Sequence, residues 1–424
     1  MTIVKFPYGR THLEMDLPAD RLRAVLVSAA HDYQAEGSER ELVARAMAAP
    51  IGSPRLAELA RGRKKIIYLA SDHTRPVPSR VIFPEILQEI LEGNPEAELT
   101  ILISTGCHRA TTPAELEAKF GAGVVAKYPV ILHDCRTSDM VTAGQLPSGG
   151  DYRINRLAVE ADLLVAEGFI EPHFFAGFSG GRKSVLPGIT DLAGVGYNHS
   201  SAFIAHERSR TGFLDGNPIH RDMIHAAGEM KLAYIVNTVL DADKKVIKAF
   251  AGHFDQAHRA GCDFLASLAG VKPAPADIVI TTNGGYPLDQ NLYQAVKGLT
   301  AAEATCREGG VIIMAARCED GHGGQDFYDT FHNDKSPERL MAEFMARRPE
   351  QTVPEQWQSQ ILARVLLRHQ VIMVSDAPEE MVKNFRMRPA PSLPAALKMA
   401  DEILGHDHGQ ITAVPDGIGV IVRP

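Results

Sequence analysis

Short apolar runs alternate along this chain with longer amphipathic segments, and each run ends at a polar or glycine-containing turn. The runs predicted as strands span residues 65–70, 99–104, 130–133 and 163–166. The segments predicted as helices span residues 84–91 and 113–120, the second with Thr112 as its N-cap. Alternating strands and helices are typical of a parallel sheet covered by helices. We therefore predict the α/β fold class.

A second block of the same kind begins near the proline-containing linker at residues 272–277. Its predicted strands span residues 278–282, 310–315, 371–375 and 418–422. The 424 residues are enough for two or three domains. We predict two α/β domains with parallel-rich sheets, residues 1–270 and residues 271–424, with the active site in the cleft between them.

Composition and charge limit the classes of partner that the chain is expected to bind. The net charge of −8 argues against a nucleic acid or an anionic membrane as partner, and no stretch approaches the ~20 apolar residues that span a bilayer. The N-terminal residues lack the apolar core of a signal peptide, and the five cysteines form no Cys-x-x-Cys pair. We therefore expect a cytoplasmic protein with a small-molecule substrate.

The segment from residue 168 to residue 188 concentrates the residues of a ligand site. It follows a predicted strand and is rich in glycine, which lets the backbone approach an anion and point N–H groups at it. Lys183 stands beside the pair Gly180 and Gly181, and His173 precedes them. We expect this segment to bind a ligand rather than to act as a spacer.

This segment narrowly misses the phosphate-binding P-loop pattern. Counting from Gly177, Arg182 occupies a position that the pattern requires to be glycine. A side chain there would obstruct the wrap of the backbone around a β-phosphate, which argues against nucleoside triphosphate hydrolysis. Lys183 is then available for another task, and His199 follows a second glycine pair shortly after.

Polar motifs also follow two other predicted strands. Asp72, Thr74 and Arg75 come after the first strand, and His108 comes after the second. Ligands of open α/β sheets bind beyond the carboxyl ends of the strands, so these side chains and His173 are expected to converge. An arginine there suits a carboxylate or a phosphate, because its planar group makes two parallel hydrogen bonds.

The second block contributes a helix after its first strand. The helix carries Tyr293, Gln294 and Lys297, which share one face because residues three and four apart are neighbours on a helix. We expect this face to complete the site from the other side of the cleft.

Together these motifs resemble one family over essentially the whole chain and in the same order. That family is the nickel-dependent lactate racemases and their relatives that act on other 2-hydroxy acids. The resemblance rests on residues 71–76, residues 105–109, residues 171–188, Asn198 with His199, and Tyr293 and Gln294 with Lys297. It implies an isomerase, nickel held by a pyridinium-3,5-bisthiocarboxylic acid mononucleotide, and partner enzymes that make this cofactor.

The resemblance also implies residue roles. Lys183 would carry the cofactor through a thioamide, and His199 would complete the nickel coordination, so residues 1–270 would form the cofactor- and nickel-binding domain. The residues implied to act in catalysis are His108 and His173 as acid–base partners, with Arg75 and Lys297. The residues implied to bind the cofactor are Lys183, Asp72, Thr74, Gly180, Gly181, Tyr293, Gln294 and Trp357.

The chemistry of a 2-hydroxy acid agrees with this set. Its C2–H bond lies beside a carboxylate and is only weakly acidic, so proton removal there is difficult. Loss of hydride, while a base takes the hydroxyl proton, gives a planar 2-keto acid, and hydride returned to the opposite face inverts the centre. A cofactor must accept the hydride, because side chains do not. Lactate is the default substrate, and Phe174, Phe175 and Leu288 suit a small aliphatic tail.

Two other classes of protein remain open. A zinc hydrolase would use His108, His173 and His199, although the chain has no His-Glu-x-x-His motif. A non-catalytic protein that binds a nucleotide or a sugar phosphate would need only the glycine-rich segment and Lys183. Zinc content with hydrolysis would mark the first class. The second class predicts that replacing His108 and His173 leaves activity assays unchanged, while Lys183→Ala abolishes ligand binding.

Overall fold

Two six-stranded sheets, each packed against helices, form the framework of the chain, which the computed structural model describes from residue 2 to residue 423. In chain order the strands are β1 Thr2–Tyr8, β2 Thr11–Leu17, β3 Leu22–Val25, β4 Lys65–Ser71, β5 Glu98–Ser104, β6 Val130–Leu132, β7 Met140–Gln145, β8 Asp151–Asn155, β9 Leu163–Phe169, β10 Pro172–His173, β11 Gly177–Phe178, β12 Leu232–Leu240, β13 Val246–Gly252, β14 Gly270–Val271, β15 Ala276–Thr282, β16 Cys306–Ala315, β17 Gln370–Val374, β18 Arg388–Ala390, β19 Ile411–Val414 and β20 Ile421–Val422. The helices are α1 Glu39–Ala48, α2 Leu56–Ala60, α3 Ser79–Gly93, α4 Pro113–Phe120, α5 Ala122–Lys127, α6 Arg156–Val159, α7 Leu192–Asn198, α8 Ser201–Ala205, α9 Pro218–Glu229, α10 Gln256–Ala269, α11 Leu292–Glu303, α12 Gln325–Phe331, α13 Pro337–Ala346, α14 Gln356–Arg368, α15 Glu379–Asn384 and α16 Leu393–Leu404.

The first sheet has the strand order β13–β12–β9–β4–β5–β6 and is parallel except for the pair β12–β13. Its central strands are apolar along nearly their whole length, as expected where helices cover both faces. Strand β9 continues beyond its predicted end at residue 166. Glu167 remains inside it because its buried carboxylate accepts hydrogen bonds from Tyr68 Oη at 2.6 Å and Ser79 Oγ at 2.5 Å.

The second sheet has the order β18–β17–β16–β15–β19–β3, and every neighbouring pair in it is parallel. Strand β3 reaches this sheet from the N-terminal part of the chain. The β1–β2 hairpin packs Val4 and Phe6 against the apolar face of the same sheet. The α/β class with parallel-rich sheets is thereby confirmed, and the division of the chain at residue 270 stays a prediction.

Two predicted elements differ in extent from those observed. Helix α3 begins earlier than residue 84 and runs through Pro84, because Val81 and Ile82 already donate hydrogen bonds to Pro78 O. The predicted strand at 418–422 shrinks to β20, because the N–H groups of Ile418 and Gly419 bond to the Asp416 carboxylate and form a turn. The other predicted strands and helix α4, with its Thr112 cap, are confirmed within a few residues.

The carboxyl ends of β4, β5 and β9 open toward the cleft between the two sheets. Each leads directly into a motif singled out from the sequence, and α11 and α14 form the opposite wall. Among residues 2–423, no helix has the length and apolar character needed to cross a membrane.

Candidate active site

One cavity of about 130 Å³ lies between the two halves of the chain. It receives side chains from the ends of the first-sheet strands, from the glycine-rich segment and from α11 and α14. The residues singled out from the sequence that line it are Asp72, Arg75, His108, His173, Gly180, Lys183, His199, Tyr293, Gln294, Lys297 and Trp357. Motifs that are far apart along the chain therefore meet at one point.

Asp72 and His108 form a hydrogen-bonded pair at the ends of β4 and β5. Their Oδ2 and Nδ1 atoms lie 2.6 Å apart, and Thr74 Oγ1 donates to the other carboxylate oxygen at 2.7 Å. Burial acts to raise the pKa of Asp72, but His108, its hydrogen bond and Arg75 outweigh burial and lower that pKa. The ionised carboxylate holds the His108 proton on Nδ1, which leaves Nε2 able to accept a proton.

His173 lies on the short β10–β11 hairpin and is almost fully buried. Its ring stacks on Phe174 at 4.9 Å and meets the edge of Phe175 at 4.6 Å. The N–H groups of Phe175 and Ala176 point at His173 Nδ1, at 3.5 and 3.3 Å. Burial, followed by the charge of Lys183, lowers the pKa of His173 well below its ordinary value, so the ring is neutral.

Lys183 lies in a 3-10 helical turn, Gly181–Ser184, directly after two glycines that adopt positive φ. These angles, 80° at Gly180 and 54° at Gly181, are ones that other residues rarely adopt. Burial, with Arg182 and Arg75 nearby, lowers the pKa of Lys183 well below its ordinary value. A lowered pKa increases the fraction of the amine that is unprotonated and nucleophilic, which suits a covalent bond with a ligand.

Arg182 organises the glycine-rich segment from inside the protein. It is completely buried, and its guanidinium donates to Phe178 O and Ala176 O, each at 2.9 Å. It also lies 3.1 Å from His220 Nδ1 and 3.0 Å from His258 Nε2. The residue that rules out a P-loop therefore holds the loop carbonyls in place, a role that the sequence did not predict.

Arg182→Lys is expected to destabilise the protein by about 3 kcal/mol, because an ammonium group cannot reach all of these acceptors and leaves buried carbonyls unpaired. Urea unfolding of the two proteins measures the difference. The matched control is Arg23→Lys on the exposed side of β3, which should change stability by no more than about 0.5 kcal/mol. Equal stability of Arg182→Lys and the parent would show that the guanidinium is not the organising group.

His199 follows directly after α7 and is buried beside aromatic rings. The edge of its ring meets Trp357 at 4.9 Å and Phe175 at 5.0 Å. Its Nδ1 atom finds no hydrogen-bond partner in the described part of the chain. Burial, followed by Lys183, lowers the pKa of His199 to about 3, so the imidazole is neutral and able to coordinate a metal ion.

Helix α11 presents Tyr293, Gln294 and Lys297 to the cavity. Trp357 Nε1 donates to Tyr293 Oη at 2.7 Å, which joins α11 to α14. The Lys297 Nζ and Gln294 Oε1 atoms are buried and have no hydrogen-bond partner among residues 2–423. Burial, followed by Arg75, lowers the pKa of Lys297 to about 7, although Glu171 and Asp72 act in the opposite direction.

Three residues named from the sequence lie outside the cavity wall. Thr74 lines the adjoining pocket and supports Asp72, while Gly181 donates its N–H to Asn237 Oδ1 at 2.8 Å. Leu288 lines a separate pocket, which removes it from the apolar neighbours of the substrate. Two residues that the sequence did not predict also line the cavity, Ser104 and Gln358. The buried Ser104 Oγ has no hydrogen-bond partner within the described chain.

A metal site made only of protein ligands is not present in the described residues. Within the range 2–423, no three side chains of His, Cys, Asp or Glu are grouped so that they could hold one ion. The alternative of a zinc hydrolase that uses His108, His173 and His199 as a ligand set is therefore unsupported.

The fold and the cavity define a two-sheet α/β protein with a cationic, histidine-containing site for a small molecule. The family model of the lactate racemase N-terminal domain matches residues 8–212, and that of the lactate racemase C-terminal domain matches residues 271–422. The chain therefore belongs to the lactate racemase family, a family of isomerases.

Individual relatives agree with this assignment. The chain is 53% identical to a lactate racemase of Thermoanaerobacterium thermosaccharolyticum and 47% identical to one of Lactiplantibacillus plantarum, in both cases over 100% of each chain. The structure of the lactate racemase apoprotein of Thermoanaerobacterium thermosaccharolyticum superimposes with a TM-score of 0.94, at 52% identity and full coverage of both chains. A protein from Thermotoga maritima shares the fold, with a TM-score of 0.69 at 18% identity over 92% of this chain and 100% of its own.

Proposed function

We propose that this protein racemises a 2-hydroxy acid at C2 and that lactate is its substrate. The observation that carries the proposal is one cavity that combines the guanidinium of Arg75 and the amines of Lys183 and Lys297 with the imidazoles of His108 and His173. Cations suit the carboxylate of the substrate, and imidazoles suit a hydroxyl proton that must move. The names of the two lactate racemases that resemble the chain over its full length support the choice of lactate.

The residues of the cavity fit a nickel-pincer pyridinium mononucleotide. Buried polar atoms without a partner in the described chain are costly unless a ligand satisfies them, and four of them line the cavity: Ser104 Oγ, His199 Nδ1, Gln294 Oε1 and Lys297 Nζ. We assign Lys183 to covalent attachment and His199 to nickel, since one imidazole beside soft sulfur donors suits this metal. When bound, the group would supply the hydride acceptor that side chains lack.

Substrate binding is assigned to Arg75 and Lys297, which would hold the carboxylate while the planar 2-keto acid rotates to present its opposite face. Arg75 donates to Thr74 Oγ1 at 2.8 Å, which fixes it beside Asp72. Phe174 and Phe175 form an apolar part of the cavity wall beside His173, where the methyl group of lactate would be accommodated. In this proposal, residues 1–270 supply the cofactor site and residues 271–424 complete the substrate site.

Proton transfer is assigned to the two histidines. For one enantiomer, His108 would accept the hydroxyl proton at Nε2, because the Asp72 carboxylate keeps the other ring nitrogen protonated. For the other enantiomer, His173 would take this role, with its ring held against Phe174 and Phe175 in the same cavity. Burial of the His173 ring and of its aromatic neighbours would help to exclude water from the keto acid.

The pH dependence should report the charge on Lys297. Its pKa is lowered to about 7, so the ammonium is present below pH 7 and is lost above it. We expect kcat/KM for lactate to fall about tenfold per pH unit on the alkaline side, because this ratio reports groups of the free enzyme. Lys297→Arg stays charged and should remove this alkaline decline. A decline of the same steepness in Lys297→Arg would exclude Lys297 as its cause.

The assay that tests the function starts from each pure enantiomer of lactate. The protein is produced together with cofactor-maturation enzymes and nickel, and chiral chromatography follows both enantiomers. The expected result is convergence of both reactions on a racemic mixture. Longer and dicarboxylic 2-hydroxy acids, assayed in parallel, define the substrate range. No racemisation of any 2-hydroxy acid by protein that carries the cofactor would overturn the proposal.

A further inference from the structure

Two cysteine side chains meet beside the cavity although the sequence shows no cysteine pair. Cys107 Sγ and Cys135 Sγ lie 3.6 Å apart. Cys107 is half-buried, lines the cavity and directly precedes His108, whereas Cys135 is buried in the loop after β6. Both thiols are free, so their sulfur atoms are in hydrogen-bond contact without a covalent bond.

The two thiols differ in their surroundings. Arg136 Nη1 lies 4.0 Å from Cys135 Sγ. The hydrogen bond between the two thiols lowers the pKa of Cys135, burial opposes this, and Arg136 adds to the lowering. The same hydrogen bond and burial raise the pKa of Cys107. The guanidinium of Arg136 beside Cys135 favours a thiolate there, so Cys135 is assigned as the attacking sulfur. Cys107, in contact with it, is the thiol that displaces the leaving group from the Cys135 sulfur.

Both cysteines belong to segments that hold residues of the active site. The Cys107 loop packs on the glycine-rich segment, because Gly106 N donates to Gly188 O at 3.0 Å. Cys135 O accepts a hydrogen bond from Leu192 N at 2.9 Å, at the start of α7, the helix that His199 follows. A disulfide between the two sulfur atoms would thus join the loop that carries His108 to the loop that is hydrogen-bonded to the start of α7, the helix before His199.

We propose that Cys107 and Cys135 form an oxidisable dithiol that a small hydroperoxide converts to a disulfide, and that this bond displaces His108. The sulfur atoms would have to close from 3.6 Å to about 2.05 Å. This movement must come from the two loops and from side-chain rotation. A displacement of about 1 Å at a catalytic group is enough to lower a rate about a hundredfold.

The chemistry balances in two steps. The Cys135 thiolate attacks one oxygen of the hydroperoxide, the O–O bond breaks, and the departing oxygen takes a proton to give water or an alcohol. Cys135 is then a sulfenic acid. The Cys107 sulfur attacks the Cys135 sulfur, the S–O bond breaks, and hydroxide leaves with the Cys107 proton as water. Two electrons pass from the protein sulfurs to the peroxide.

The first test reads the thiols directly and is independent of racemase activity. Full-length protein is treated with hydrogen peroxide and analysed by thiol counting, intact mass and peptide mapping. We expect the loss of two thiols and of the mass of two hydrogen atoms, with Cys107 linked to Cys135. Cys107→Ser should instead stop at a sulfenic acid on Cys135 that dimedone traps. The matched control Cys306→Ser, a buried cysteine elsewhere, should behave as the parent.

The second test reads activity and rests on the proposed function. Peroxide should lower racemisation by the cofactor-loaded parent about a hundredfold, and a dithiol reductant should restore it. Cys135→Ser should keep its own starting activity under the same treatment. If peroxide lowered the racemase activity of Cys135→Ser as much as that of the parent, the proposed displacement of His108 by the disulfide would be overturned. Independent oxidation of the two cysteines to sulfinic acids, with no link between them, would overturn the dithiol itself.

Discussion

Lys183→Ala is expected to abolish both covalent attachment of the cofactor and racemisation. The amine of Lys183 is the group proposed to form the thioamide, and burial with Arg182 and Arg75 nearby lowers its pKa, which makes it more reactive. The methyl side chain of alanine cannot form a thioamide. Intact-protein mass after production with the maturation enzymes measures the attachment, and peptide mapping locates it.

The matched control for this experiment is the second cavity lysine. Lys297→Ala removes an amine from the same cavity but leaves Lys183 in place, so the added mass should remain while activity is lost. This pattern separates the attachment site from substrate binding. A cofactor-sized mass that persists on Lys183→Ala would contradict the role of Lys183.

Loss of either histidine should abolish racemisation in both directions, because every turnover uses both residues. His108→Gln and His173→Gln are expected to lower kcat by about 10²–10⁴-fold from either enantiomer, the usual contribution of a positioned acid–base group. The control His12→Ala lies on the exposed β1–β2 hairpin and should leave the rate unchanged. Near-normal turnover by either variant would contradict the assignment of two acid–base residues.

Asp72→Asn tests the same assignment without removing an imidazole. The amide can donate a hydrogen bond to His108 Nδ1, so the ring proton moves to Nε2 and the base is lost. Activity should fall nearly as far as in His108→Gln, while the protein stays folded. Unchanged activity would show that the hydrogen bond between Asp72 and His108 does not set the tautomer.

Much of the site could be predicted from the sequence because parallel strands bring their carboxyl ends to one edge of a sheet. Asp72, His108 and His173 each follow a separate strand of the first sheet, so their convergence required only the correct strands. The spacing of Tyr293 and Lys297 on a helix was equally informative. These inferences depend on local patterns and on one general rule of sheet topology.

Other features depend on contacts that no local pattern encodes. Arg182 bonds to main-chain carbonyls and to two distant histidines, so its residue type reveals nothing about its partners. A glutamate such as Glu167 normally indicates the end of a buried strand. Only the structure shows that Tyr68 and Ser79 donate hydrogen bonds to its carboxylate, so that it can remain inside the strand. The contact between Cys107 and Cys135, and the passage of β3 to the second sheet, likewise arise only from tertiary packing.

The most direct test of the proposed reaction follows the hydrogen at C2 of lactate. The cofactor-loaded protein racemises L-lactate that carries deuterium at C2 in ordinary water, and mass spectrometry reads the isotope in the D-lactate formed. If the hydrogen leaves and returns as hydride, the product retains deuterium. Product with ordinary hydrogen at C2 would show that the hydrogen leaves as a proton that exchanges with solvent, and would contradict the proposed function.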